Sequence, residues 1–139
     1  MKKSDSQDKG VKMRQMILLF SHSLSDAQKA DARENYGIDI FIPLREDMQK
    51  LWSSIPVQSE DISNHIQPIK AFVEEVSREG DVVLIQGDFG ATYALVNFSQ
   101  SLGLIALYAT TKRNVVEKSI DGKVVKTSVF EHVIFREYK

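Results

Sequence analysis

The chain has no cysteine, three prolines and a single tryptophan in 139 residues. Without thiols there can be no disulfide, no thiolate zinc site and no cysteine nucleophile, which fits a reducing compartment. Charge of one sign is lacking too: 18 Lys and Arg stand against 19 Asp and Glu, a formal net charge of −1. A protein that grips duplex DNA or long RNA usually carries a basic face strong enough to move that balance, so no long nucleic acid is expected as a partner. The apolar runs are strand-length, too short for a membrane span. No apolar core follows Lys2 and Lys3 within residues 4–15, so nothing there reads as a secretion signal. These absences predict a soluble, cytoplasmic protein with no membrane partner.

What is present suffices for one folded domain. Hydrophobic residues make up 42% and charged residues 27%, ordinary values for a globular chain of a size that buries a sizeable core. Residues 1–15 are polar and aperiodic and are expected to form a disordered leader, leaving 16–139 as a single domain. Met16-Ile17-Leu18-Leu19-Phe20 is a continuous apolar run of the kind buried on both faces of a parallel sheet. Ser25 and Gln28 have capping-box spacing, opening a helix that runs to Tyr36 and stops at Gly37. A second strand is expected over Ile38–Pro43. Leu44, Met48, Leu51, Trp52 and Ile55 then share one helical face up to Pro56. Ile62, Ile66, Ile69, Val73 and Val76 mark a longer helix closed by Gly80, which Pro68 should kink or divide.

Val82–Arg113 carries the most information. The apolar Val82-Val83-Leu84-Ile85 breaks at Gln86-Gly87-Asp88-Phe89-Gly90 and enters a helix from Ala91 to Leu102, with Ala91, Leu95, Phe98 and Leu102 inward. A strand over Leu104–Ala109 is expected to end in a basic turn, Thr110-Thr111-Lys112-Arg113. Val115–Ile120 and Lys123–Val129 flank Asp121-Gly122, a two-residue hairpin signal, and Val133–Tyr138 suggests a last strand. The predicted fold is α/β: a single Rossmann-like domain, its mostly parallel sheet flanked by helices and followed by a C-terminal antiparallel β-hairpin, an edge or a dimer-contacting arm.

In such a sheet the polar segments after each strand share the edge where open α/β sheets bind ligands. Gly87 and Gly90 permit positive φ and a close backbone approach, and the helix start beyond them offers unpaired N–H groups. The same glycines would equally serve a tight turn, with Asp88 as a helix cap. Beside bound phosphate Asp88 would be repelled, so it suits a ribose hydroxyl or an adenine amino group better. Thr110 and Thr111 add hydroxyls, and Lys112 and Arg113 add cations fit for phosphate or merely solvated. Ser21 and His22 follow the first strand on the same edge, a hydroxyl and a group able to move protons near neutrality. His65 and His132 have no spacing that joins them to His22 in a metal site. No metal site and no cofactor are expected.

Several segments, Met16–His22, Trp52–Pro56, Leu84–Tyr93, Ser101–Ile105 and Tyr108–Arg113, resemble one small family of CRISPR-associated proteins, the Csx-group member numbered twenty, found with type III systems. The resemblance covers about residues 16–139. It implies a ring nuclease that binds a cyclic oligoadenylate messenger, with cyclic tetra-adenylate the favoured ring, and cuts it without a metal to silence the response. A ribose 2′-hydroxyl attacks the neighbouring phosphorus, so the protein must hold that geometry and stabilise the developing charge. By position, Lys112 or Arg113 is assigned to the phosphoryl charge, and Gly90 and Thr92 to a neighbouring phosphate. Ser21 or His22 is assigned to the attacking or leaving oxygen, and Gln86 and Asp88 to adenine or ribose. A two-fold ring matches a two-fold homodimer. A non-catalytic messenger sponge or sensor is the alternative, and a nucleotide-binding or structural protein outside CRISPR defence is a third reading.

Overall fold

The computed structural model describes residues 13–139. Among the described residues five strands make one sheet: β1 (Gln15–Leu19), β2 (Ile40–Pro43), β3 (Val82–Ile85), β4 (Ile105–Ile120) and β5 (Lys123–Glu137), in the order β2-β1-β3-β4-β5. The first three contacts are parallel, and only β4 with β5 is antiparallel. Strand side chains alternate between faces, so the continuous apolar runs serve two cores at once. Ile17, Leu19, Val83 and Ile85 pack on one face with Trp52, Ile69, Val73 and Leu95. Met16, Val82, Leu84 and Leu107 pack on the other with Leu24, Ala32 and Phe135. All four residues of β3 are fully buried, which places it at the centre of the molecule.

Helices cover both faces. On the second face lies α1 (Asp26–Tyr36), opened by the expected capping box: the Ser25 hydroxyl accepts from the Gln28 backbone N–H, and the Gln28 side chain accepts from that of Ser25. Gly37, at φ +63°, closes it. On the first face lie α2 (Glu46–Ser53), α3 (Ser63–Val76) and α4 (Phe89–Ser101). Pro68 lies inside α3 without dividing it, and the helix stops at Val76 rather than at Gly80, which turns the chain at φ +89° toward β3. In α4 the fully buried positions are Ala91, Leu95 and Ser99, with Phe98 and Leu102 only half-buried against the core. The result is a mixed α/β fold, a five-stranded sheet flanked by helices and ending in an antiparallel strand pair. Among the described residues no helix is long and apolar enough to cross a membrane.

Two further expectations are corrected. Residues 1–12 of the expected leader lie outside the described residues, but Gln15 already begins β1. Arg14 before it is bound into the fold, donating to the carbonyls of Tyr36 and Gly80 at 2.7 and 3.1 Å. The second correction concerns the basic turn. Thr110–Arg113 is the middle of β4, a 16-residue strand that pairs with β5 along its length across a bulge between Ala109 and Thr111. The strand expected at Leu104–Ala109, the hairpin and the last strand are therefore one long ribbon. Its tip is the expected one: Asp121 and Gly122 both adopt positive φ, +51° and +77°, the left-handed geometry that two-residue hairpin turns require.

Candidate functional site

Because β1, β2, β3 and β4 run parallel, the carboxyl ends of β1, β2 and β3 share one edge, past which β4 continues. The order turns at β1, with β2 on one side of it and β3 on the other. A groove of about 720 Å³ opens beyond β1 and β2, between α1 and α2. Its walls include Ser21, His22, Lys29, Gln49 and Lys50. Gln49 donates to the Phe20 carbonyl at 3.0 Å, tying α2 over the segment after β1. Ser53 donates to the Ser21 hydroxyl at 3.2 Å. The exposed His22 ring meets Phe20 edge-on, with centroids 5.4 Å apart. Lys50 sits 3.9 Å from Glu46, both side chains well exposed, an ion pair too solvated to hold the ammonium back from a ligand. Among the described residues the groove thus gathers an imidazole, two hydroxyls (Ser21 and Ser23), two ammonium groups and the carboxylate of Glu46. Ser21 and His22 were legible in the sequence. Lys29 and Lys50 were not, since lysines on amphipathic helices look alike until the helices are placed.

The Gln86–Gly90 loop is braced from within. Gln86 accepts the Trp52 indole N–H on its carbonyl at 3.0 Å, and its side-chain oxygen accepts the Ala109 backbone N–H at 2.6 Å, at the bulge of β4. Asp88 caps α4, its carboxylate accepting from the Ala91 backbone N–H at 3.0 Å. The glycines do not serve as their backbone freedom suggested, for neither Gly87 nor Gly90 has positive φ. Gly87 instead makes room for Trp52: a Cβ there would stand 2.9 Å from three atoms of the indole ring. At Gly90 a Cβ would meet only ordinary neighbours, Asp88 at 3.4 Å and Ile62 at 3.7 Å. Phe89 projects into solvent, 94% exposed. The Thr92 hydroxyl is buried and has no hydrogen-bond partner among the described residues.

The four residues from Thr110 to Arg113 have separate roles. Thr110 patches the bulge, donating to the Ile134 carbonyl at 2.9 Å and accepting its N–H at 3.1 Å. Thr111 stands opposite His132 in the ladder. Lys112 and Arg113 are both exposed, but as neighbours on a strand they point to opposite faces. Arg113 lies on the face of His132, whose ring meets the Asp31 carboxylate of α1 at 2.7 Å, and donates to the Ser128 hydroxyl at 3.0 Å. Lys112 lies on the α4 side, paired with Glu131 across the ribbon. The structure therefore brings Ser21 and His22 together in the groove and divides the two cations between the faces of the ribbon. His65 is bound to the Leu51 carbonyl at 2.8 Å. Among the described residues no group of three or more His, Asp or Glu side chains gathers as a metal ion would need.

Beyond Arg113 the ribbon leaves the body of the protein at the same edge as the groove, since β4 runs parallel to β3 and outlasts it. From Arg113 to Ile120 it extends about 23 Å at the usual rise per strand residue. Val115, Val116, Ile120, Val124, Val125, Val129 and Phe130 are all exposed on it.

The family described as "Uncharacterized protein MJ1673 family" matches residues 14–136. A relative from Methanocaldococcus jannaschii, named uncharacterized protein MJ1673, is 49% identical over 126 residues, covering 91% of this chain and 98% of its own length. No solved structure matches.

Proposed function

The chain belongs to the MJ1673 family, and from the chemistry gathered on its polar sheet edge we propose that it is a ring nuclease acting on a cyclic oligoadenylate, cyclic tetra-adenylate first. The observation that carries the reading is the groove at the carboxyl ends of β1 and β2, which holds His22, Ser21, Lys29 and Lys50 where open α/β sheets bind ligands. The strand order, which turns at β1, and the helices on both faces support reading the domain as Rossmann-like. The resemblance to the small type III CRISPR-associated family supplies the substrate class, and a cytoplasmic location follows from it.

In the proposed reaction a ribose 2′-oxygen attacks the adjacent phosphorus in line while the bond from phosphorus to the 5′-oxygen breaks. The products carry a 2′,3′-cyclic phosphate and a 5′-hydroxyl. One proton leaves the attacking hydroxyl and one reaches the departing oxygen, and His22 is the groove's imidazole for either transfer. Ser21 orients the ribose. Lys29 and Lys50 offset the charge that builds on the phosphoryl oxygens, a task the sequence assigned to Lys112 or Arg113. Lys112, on the α4 side of the ribbon, remains available to a ring that reaches across the edge.

A homodimer completes this reading. A groove of about 720 Å³ suits part of a four-nucleotide ring, and a two-fold pair of subunits would offer the ring two matching half-sites. His22→Ala tests the chemistry. Its cleavage rate for cyclic tetra-adenylate should fall about 10²- to 10⁴-fold with an unchanged melting temperature, since the ring is exposed. Cleavage at the wild-type rate would remove His22 from the mechanism. Tight binding without products, in the wild type, would favour the messenger sponge.

A further inference from the structure

A second cleft of about 340 Å³ runs along the outer face of α4, away from the groove of His22. Phe89 and Tyr93 form its upper wall, 94% and 73% exposed. They are one helical turn apart and so share a face, which Asn97 and Gln100 continue. Tyr138 forms the other wall, fixed by its hydroxyl, which donates to the Ile85 carbonyl at 2.6 Å, and by its ring against Tyr108 at 4.8 Å. Large aromatic side chains are normally buried or covered, and two of them in water on one helix face call for an occupant.

We propose that this cleft is a purine-base subsite, in which Phe89 and Tyr93 stack an adenine and the Asn97 amide reads its edge, beside Gln100, whose amide donates to the Tyr138 carbonyl at 3.2 Å. Aromatic faces are the usual platform for an unpaired base, and a side-chain amide matches the donor and acceptor pair at N6 and N7 of adenine. The volume suits one nucleoside rather than a ring, near the small end of ligand sites. Among the described residues no Asp or Glu side chain lines the cleft, so a nucleotide's phosphate meets no carboxylate of theirs there. Phe89 begins α4 directly after the Gln86–Asp88 loop, so the subsite adjoins the polar sheet edge. The identity of the base rests on the proposed function; the cleft deepens that reading by giving one adenosine of the ring its own seat.

Calorimetric titration with cyclic tetra-adenylate tests this on wild type, Phe89→Ala, Tyr93→Ala and Tyr93→Phe. Each alanine variant should bind about ten-fold or more weakly, as loss of a stacking partner costs. Tyr93→Phe should bind as wild type, and all four should melt alike because both rings are exposed. Wild-type affinity in both alanine variants overturns the subsite while leaving the ring-nuclease reading intact. If the wild type binds no ring, that reading fails, and adenosine monophosphate then decides the subsite by amide NMR. Shifted side-chain signals of Asn97 uphold it, and unmoved ones overturn it. Alanine variants that turn a dimer into monomers would make the aromatic face a contact between copies and also overturn it.

Discussion

Trp52 and Gly87 show how a contact distant in the chain sets a role that local pattern misassigned. The indole is 2% exposed and donates to Gln86, and the absence of a side chain at Gly87 lets it lie against the loop. Gly87→Ala therefore forces overpacking, about 1–3 kcal/mol. That exceeds the roughly 0.4–1 kcal/mol a Gly→Ala change gains through the unfolded chain, so the variant should unfold at lower urea. Gly90→Ala meets only ordinary contacts in the first turn of α4 and should be neutral or slightly stabilising. Equal urea midpoints for the two variants would contradict the packing account. Asp88 as helix cap and the Ser25–Gln28 box were legible because capping is local chemistry. The Trp52 contact was not, because it joins residues 34 apart in sequence.

Among the elements, the β4–β5 ribbon departs most from its sequence reading. The Asp121-Gly122 turn was legible, since only a few residue pairs tolerate two positive φ values in succession. The length of the strands was not. Thr110-Thr111-Lys112-Arg113 is polar, and polarity was read as a turn, but a ribbon exposed on both faces needs no apolar stripe. Its threonines also favour extended backbone. A two-stranded ribbon is marginal alone in water, and this one exposes seven large apolar side chains between Val115 and Phe130. The α4-side face carries Val116, Ile120, Val125 and Val129 by the ladder register. Complete burial of such a side chain contributes about 1.5–3 kcal/mol, and with 41–54% of each still exposed roughly half of that is available to the face the proposed homodimer would use. Wild type should sediment as a dimer and Val116→Glu/Val125→Glu as a monomer with an intact fold. A monomeric wild type would remove the homodimer from the proposal.

For the molecule as a whole, the alternation of strands with helices and the mostly parallel sheet followed from periodicity and were legible for all but the ribbon. The strand order and the division of helices between two faces were not, for they are set by long-range packing that periodicity does not encode. The groove was half legible: Ser21 and His22 fall at a strand end, whereas Lys29 and Lys50 reach it only through the docking of α1 and α2. The fold also has an alkaline limit. Burial raises the Tyr138 hydroxyl above its ordinary range, helped by Tyr108, and burial with the charges of Asp31 and Glu137 raises that of Tyr36. A raised folded-state value favours the protonated phenol. Its stabilisation is complete below the unfolded tyrosine value, about 10, and is lost as pH climbs beyond it. The urea midpoint should therefore hold level at neutral pH and drop above about pH 10. Tyr138→Phe should flatten that drop, and an unchanged slope would contradict the account of Tyr138.

The proposed activity stands or falls on one incubation: purified protein with cyclic tetra-adenylate in excess EDTA, with products resolved by liquid chromatography and mass spectrometry. The account predicts linear adenylates, some ending in a 2′,3′-cyclic phosphate. Intact ring at all protein concentrations, with no ligand retained by the protein, would contradict it.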